Sequence, residues 1–148
     1  MGRSVTVLNV IPLLVFPLVL YNFVVLAGIA STPVGDWMTH PIFTVGMFSG
    51  DAWGVSFADV FMGLSLLLLF VEIVKATRTD AMSIVNHGLS MLLCVICIIQ
   101  FVTMKGFSNS VFFLLTLMTI LDVVAGFTIT IVAAKRDFGA SGGIAGTH

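Results

Sequence analysis

Long apolar stretches alternate with short polar ones along this chain, and they set its expected architecture. A helix needs about 20 apolar residues to cross a hydrocarbon core roughly 30 Å thick. Four stretches reach about that length, and we predict transmembrane helices over residues 5–30, 57–74, 82–104 and 110–134. Backbone groups in lipid must be hydrogen-bonded within their own segment, which favours helices. Because the later connections are short, neighbouring helices should be antiparallel. The pattern predicts an all-α integral membrane protein, a single four-helix antiparallel bundle over residues 1–134.

Two segments fall outside the predicted helices. The first loop, residues 31–56, is too apolar for an ordinary solvated linker, so we expect it to lie along the outer membrane interface or over the bundle. The tail, residues 135–148, is rich in glycine and small residues, and a flexible cytoplasmic segment is expected there.

The basic residues indicate an orientation. In a four-span arrangement nearly all of them fall on one side, namely Arg3, Lys75, Arg78, Lys135 and Arg136, with Lys105 on the other. Cytoplasmic loops of membrane proteins carry an excess of Lys and Arg. We therefore predict that both termini are cytoplasmic, and the general character of the chain suggests a bacterial cytoplasmic (inner) membrane.

Composition supports lipid as the main solvent. Of 148 residues, 59% are hydrophobic and only 9% are charged, whereas soluble domains carry about 25% charged residues. A net charge of -1 argues against nucleic acid as a partner, since phosphate binding needs a basic surface. Membrane lipids are the expected surroundings.

Asp122 is the most unusual polar residue of the predicted spans. It lies 13 residues from both Asn109 and Lys135, near the middle of the predicted helix, and no Lys or Arg is expected at that depth. An unpaired carboxylate there would be very costly. Three explanations remain: a neutral acid hydrogen-bonded between helices, a group on a hydrated path, or a contact with another subunit.

Small and polar residues share one helical face with Asp122. A face of this kind suits close helix packing, and we expect helix contacts at four positions: Thr119, Gly126, Thr130 and, on the second helix, Gly63.

Glu72 and His87 should lie close together near the cytoplasmic surface, on adjacent helices. Glu72 can reach the surface toward Lys75 while His87 bonds Asn86 or a backbone carbonyl. Alternatively, Glu72 and His87 bond each other and form the cytoplasmic part of a proton path with Asp122.

Ser56 and Asp59 have the spacing of a capping box, S-x-x-D, directly before an apolar run. In that motif each side chain accepts a hydrogen bond from the backbone amide of the other residue. We predict that Ser56 is the N-cap of the second helix.

Chemistry-bearing motifs are weak, and we expect no catalytic residue, no metal site and no cofactor. Cys94 and Cys97 lie mid-helix, where a redox C-x-x-C motif would lack the helix N-terminus that activates a thiol. His87 has no second histidine at its depth to share a haem. Ser90 lies three residues from His87, a spacing that is common by chance.

These features favour a non-enzymatic protein that works through helix–helix assembly, as a homo-oligomer or an accessory subunit of a larger membrane complex. One alternative is a small proton-linked transporter or channel that uses Asp122, Glu72 and His87. A second alternative is a membrane enzyme for thiol redox or lipid modification.

Overall fold

The computed structural model describes residues 11–27, 38–77 and 81–142. In chain order the elements are α1 (Val15–Leu26), β1 (Pro41–Gly46), β2 (Ala52–Ser56), α2 (Phe57–Ala76), α3 (Ala81–Thr103) and α4 (Ser110–Gly142). The protein is mostly helical.

Three helices, α2, α3 and α4, are long and apolar enough to cross a membrane, which indicates an integral membrane protein. Their large apolar side chains are exposed along much of each helix, as lipid-facing residues would be. The apolar helix α1 has 12 residues, about 18 Å of length. The predicted first helix extended beyond it on both sides, and positions 5–10 and 28–30 lie outside the described residues.

Helix α4 packs against both α2 and α3. A cluster of aromatic rings holds α1 against one end of these helices: the Tyr21 ring lies 4.8 Å from that of Phe112 and 6.1 Å from that of Phe61. The Tyr21 hydroxyl donates to the Gly106 carbonyl at 3.0 Å. Two reciprocal amide hydrogen bonds, at 2.8 and 3.2 Å, join Asn22 to Gln100 of α3.

The start of α2 contains both hydrogen bonds of a capping box. Asp59 N donates to Ser56 Oγ at 3.2 Å, and Ser56 N donates to Asp59 Oδ2 at 2.8 Å. Ser56 is also the last residue of β2, so the strand passes into the helix without a linker.

The predicted outer loop contains a β-hairpin, so the chain is not all-α. β1 pairs with β2 in antiparallel register, with Val45 opposite Trp53. In the turn, Met47 N donates to Asp51 O at 2.8 Å, and Gly50 has φ +94°, a conformation that favours glycine. β-branched and aromatic residues on both sides of a Ser-Gly pair explain the hairpin.

The last helix is longer than predicted. α4 continues to Gly142, through much of the segment expected to be a flexible tail. No proline interrupts the chain after Ala134, and alanine, lysine and arginine are good helix formers, so the helix continues beyond the end of the apolar span. Residues 143–148 lie outside the described part of the chain.

Candidate functional site

Glu72 is fully buried and has a complete set of partners. Its Oε1 lies 3.1 Å from Lys75 Nζ and accepts a hydrogen bond from Asn86 Nδ2. Its Oε2 accepts from Leu13 N at 2.9 Å, and Lys75 Nζ donates to the Ile11 carbonyl at 3.1 Å. The ion pair therefore joins the end of α2 to α3 and to the segment before α1.

The backbone before α1 makes these contacts possible. Leu13 precedes the first residue of the helix, so its N–H has no intrahelical acceptor and needs another partner. The Glu72 carboxylate satisfies this N–H. A buried charge is tolerated when it is paired and hydrogen-bonded in this way.

Asp122 is 3% exposed and lies inside the chain, against α3. The Ser90 hydroxyl faces its carboxyl group, and Glu72, Lys75 and His87 are close enough to act on it electrostatically. Ser90 is thus the neighbour best placed to hydrogen-bond the Asp122 carboxyl, although the Ser90 Oγ and Asp122 Oδ2 atoms fall outside strict hydrogen-bond geometry with the described atoms.

The charged surroundings of Asp122 differ from the sequence-based expectation. We expected Asp122 far from any Lys and deeper than Glu72, yet Lys75 and Glu72 both lie within its electrostatic reach. Asp122 lies near the middle of the apolar span Ser110–Arg136, as residue counting predicted, but the Lys75 side chain turns inward to Glu72. We call Glu72, Lys75, Asn86, His87, Ser90 and Asp122 the polar cluster.

His87 lies directly over Gly126. A Cβ atom at position 126 would lie 2.2 Å from Cε1 and 2.3 Å from Nδ1 of the His87 ring. Glycine thus makes room for the imidazole between α3 and α4. The His87 Nε2 atom is buried and has no partner among the described residues, and Glu72 bonds Asn86 where a bond to His87 was one expectation.

The four expected packing positions differ. Thr119 is buried and its hydroxyl donates to the Thr116 carbonyl at 2.7 Å, and Gly126 is buried under His87. Thr130 is exposed, with its hydroxyl on the Gly126 carbonyl of its own helix at 2.9 Å. Gly63 is exposed and has open space where a Cβ would lie. Thr130 and Gly63 therefore lie off the buried faces of their helices.

The cysteines are buried and unbridged. Cys94 and Cys97 are free thiols inside the helix packing. Among the described residues, no group of three or more His, Cys, Asp or Glu side chains could hold a metal ion.

No family model, curated protein or solved structure matches this chain. Function is therefore inferred from the geometry of the polar cluster and of the hairpin.

Two members of the polar cluster, Asn86 and Ser90, were not predicted as site residues. They lie four residues apart on α3, which places them on one face beside His87. That spacing of amide and hydroxyl groups in an apolar helix was the available signal. Chemically, the cluster offers oxygen acceptors, one imidazole, the Glu72–Lys75 ion pair and a second carboxyl group, that of Asp122.

Proposed function

We propose that this chain is a non-catalytic membrane protein that acts by assembly, with copies of itself or as an accessory subunit of a larger membrane complex. In this proposal α1 is the fourth crossing of an antiparallel bundle in the bacterial inner membrane, with both termini in the cytoplasm. The contacts of Tyr21 and Asn22 with the longer helices support a crossing by α1. The distribution of basic residues supports the orientation.

The exposed apolar hairpin carries the proposal. Both of its strands are largely uncovered, and six large apolar side chains are exposed on it: Ile42, Phe43, Val45, Met47, Phe48 and Trp53. An isolated two-stranded hairpin is only marginally stable in water, and contiguous exposed apolar surface is typical of interaction sites. A protein partner would cover this surface on the outer side of the membrane.

Photo-crosslinking in native membranes tests this proposal. A photoreactive phenylalanine analogue replaces Phe48 at the hairpin tip or, as the matched control, Phe70 on the apolar outer face of α2. We expect a protein adduct from position 48 and lipid adducts from position 70. An adduct of twice the chain mass of 15.8 kDa indicates a homo-oligomer, and another mass an accessory subunit. Lipid adducts alone at both positions would contradict assembly through the hairpin.

A second function, proton-linked transport, is favoured by one observation, the unpartnered and buried atoms of the polar cluster. Asp122 would exchange a proton, and Glu72 and His87 would lie toward the cytoplasmic exit. The buried ion pair of Glu72 with Lys75 argues against a role for Glu72 as a carrier, because its carboxylate is held by three partners.

Reconstituted liposomes with an internal pH dye distinguish the two functions. Under the assembly proposal, the proton flux does not differ between liposomes with the native protein and with Asp122→Asn. Both proteins also assemble equally, because a neutral acid and an amide make similar hydrogen bonds. A pH-dependent flux that disappears in Asp122→Asn would instead establish transport.

A further inference from the structure

The outer edge of β1 carries backbone groups that no described strand pairs. Met47 N donates to Asp51 O at 2.8 Å where the hairpin closes, and residue pairs of an antiparallel ladder alternate between hydrogen-bonded and non-hydrogen-bonded. In the observed register, this alternation points the N–H and carbonyl groups of Thr44 and Gly46 away from β2. Among the described residues the sheet contains two strands. β1 therefore offers four backbone groups to a further strand.

This edge has few of the features that protect the edges of natural sheets. Charged residues, prolines and bulges usually prevent strands from pairing there. Over residues 41–56 the one charged residue is Asp51, in the turn. Pro41 and the register shift before Phe43 lie at the base of the hairpin, and β1 is exposed along its whole length. An uncharged and exposed edge of this kind is suited to strand addition.

β2 does not offer an equivalent edge. Val55 and Ser56, at the end of β2, are both 5% exposed. Ser56 N also donates to Asp59 Oδ2 at 2.8 Å, so the strand end is committed to the start of α2. The edge available to a partner is therefore that of β1.

A second copy of the chain matches this edge. Two copies of one strand that pair in antiparallel fashion are related by a two-fold axis. Near that axis a charged residue would face its own charge, and β1 has no charged residue. With the axis at Val45, Thr44 of each copy lies opposite Gly46 of the other. All four outward backbone groups of each β1 strand are then hydrogen-bonded.

The side chains favour the same register. Val45 is opposite Trp53 within one hairpin, and residues paired in this way share one face of the sheet. Pairing the two Val45 residues extends this contact into a row of four apolar side chains across four strands. Two strands alone are only marginally stable, and independent stability needs three or more strands with an apolar face.

We propose that β1 pairs with β1 of a second copy around Val45, so that the two hairpins form one four-stranded antiparallel sheet on the outer side of the membrane. This pairing rests on the proposed assembly function and names its partner. The two-fold axis is perpendicular to the sheet, so the hairpins of two copies in one membrane lie flat along its surface. The exposed Trp53 ring suits that placement, because tryptophan is enriched at membrane–water interfaces.

Disulfide crosslinking in native membranes tests the pairing. In a chain whose Cys94 and Cys97 are replaced by alanine, Val45→Cys places two thiols opposite each other at a non-hydrogen-bonded pair. The Cα atoms of such a pair lie about 4.5 Å apart, within the range that a disulfide bridges. Mild oxidation should yield a covalent dimer of twice the chain mass of 15.8 kDa.

Trp53→Cys in the same background is the matched control. Position 53 lies on the same face as Val45, opposite it in the hairpin, and the two side chains are 48% and 38% exposed. In the proposed sheet the two copies of position 53 are three strand spacings apart, about 14 Å. A disulfide does not bridge that distance, so we expect no dimer.

A change at Thr44 tests the backbone hydrogen bonds. Thr44→Pro removes an N–H that points away from β2, a position at which a strand tolerates proline. Combined with Val45→Cys, it should abolish the dimer. Thr44→Val keeps the N–H and should leave the dimer in place.

Several results would overturn the pairing. Equal dimers from Val45→Cys and Trp53→Cys indicate random collision, and a dimer that persists with Thr44→Pro does not depend on the strand hydrogen bonds. Absence of a dimer from Val45→Cys also rejects it. In that case a protein adduct from the photoreactive analogue at Phe48 leaves assembly standing through another partner or another contact, whereas lipid adducts alone reject both proposals.

Discussion

Gly126 leaves a space between two helices that the His87 ring fills. A Cβ at this position would come within 2.2 Å of the ring, so Gly126→Ala must displace the imidazole. Overpacking of this kind costs about 1–3 kcal/mol. We predict a loss of that size in the free energy of unfolding, measured by denaturant titration in mixed micelles.

Gly63→Ala is the control for this change. Gly63 lies in the interior of α2 and has open space at its Cβ position, so alanine should stabilise the helix by up to about 1 kcal/mol. In a His87→Ala background, Gly126→Ala should lose its penalty. If Gly126→Ala and Gly63→Ala change the free energy of unfolding equally in the native background, the packing of the His87 ring does not require glycine at position 126.

Individual residues were predicted well only where a local rule applied. The reciprocal bonds of Ser56 and Asp59 follow from three-residue spacing in one chain segment. The surroundings of Asp122 depend on how far neighbouring helices extend and on which way the Lys75 side chain turns, and neither is encoded near position 122. The composition of the polar cluster therefore required the packed helices.

At the scale of elements, Ser56 joins a strand to a helix. It ends β2 opposite Pro41 and caps α2 through Asp59 N. Loss of an N-cap hydroxyl costs about 1 kcal/mol. We predict that Ser56→Ala lowers the free energy of unfolding by about that amount, by the same micelle titration. Ser49→Ala, in the exposed hairpin turn, should have a much smaller effect. Equal losses in the free energy of unfolding for the two variants would show that the N-cap hydrogen bond does not stabilise the protein.

Helix ends were predictable where clear polar segments flank the apolar runs. α2 and α3 begin and end within two residues of the apolar runs predicted for them. The hairpin was missed because the apolar character of residues 31–56 was interpreted as interfacial, although period-two alternation around Ser49 and Gly50 was present. The end of α4 was missed because the glycine content of the tail was interpreted as the end of the helix. The sequence has no proline or cap residue that would end the helix at Ala134.

At the scale of the whole molecule, the path of α1 decides on which side the N-terminus lies. The three long helices are each long and apolar enough for one crossing. α1 runs alongside them, because Leu13 contacts Glu72 near the end of α2 while Tyr21 contacts Phe61 near its start. α1 thus runs alongside most of the length of α2, which favours a fourth crossing by α1.

Cysteine accessibility measures the number of crossings directly. In a chain whose two native cysteines are replaced by alanine, single substitutions Phe48→Cys, Lys105→Cys, Thr77→Cys and Ser4→Cys are exposed in intact cells to a membrane-impermeant maleimide. Four crossings with cytoplasmic termini predict labelling at positions 48 and 105 and protection at 77 and 4, with all four sites labelled after permeabilisation. The hairpin and the two connections fix the sides of α2 and α3 independently of α1, so position 4 alone reports on the first crossing.

Labelling at position 4 together with 48 and 105 would mean that α1 packs against the bundle without crossing. In that case the excess of basic residues on the cytoplasmic side would lose Arg3 and rest on the connection between α2 and α3 and on the end of α4.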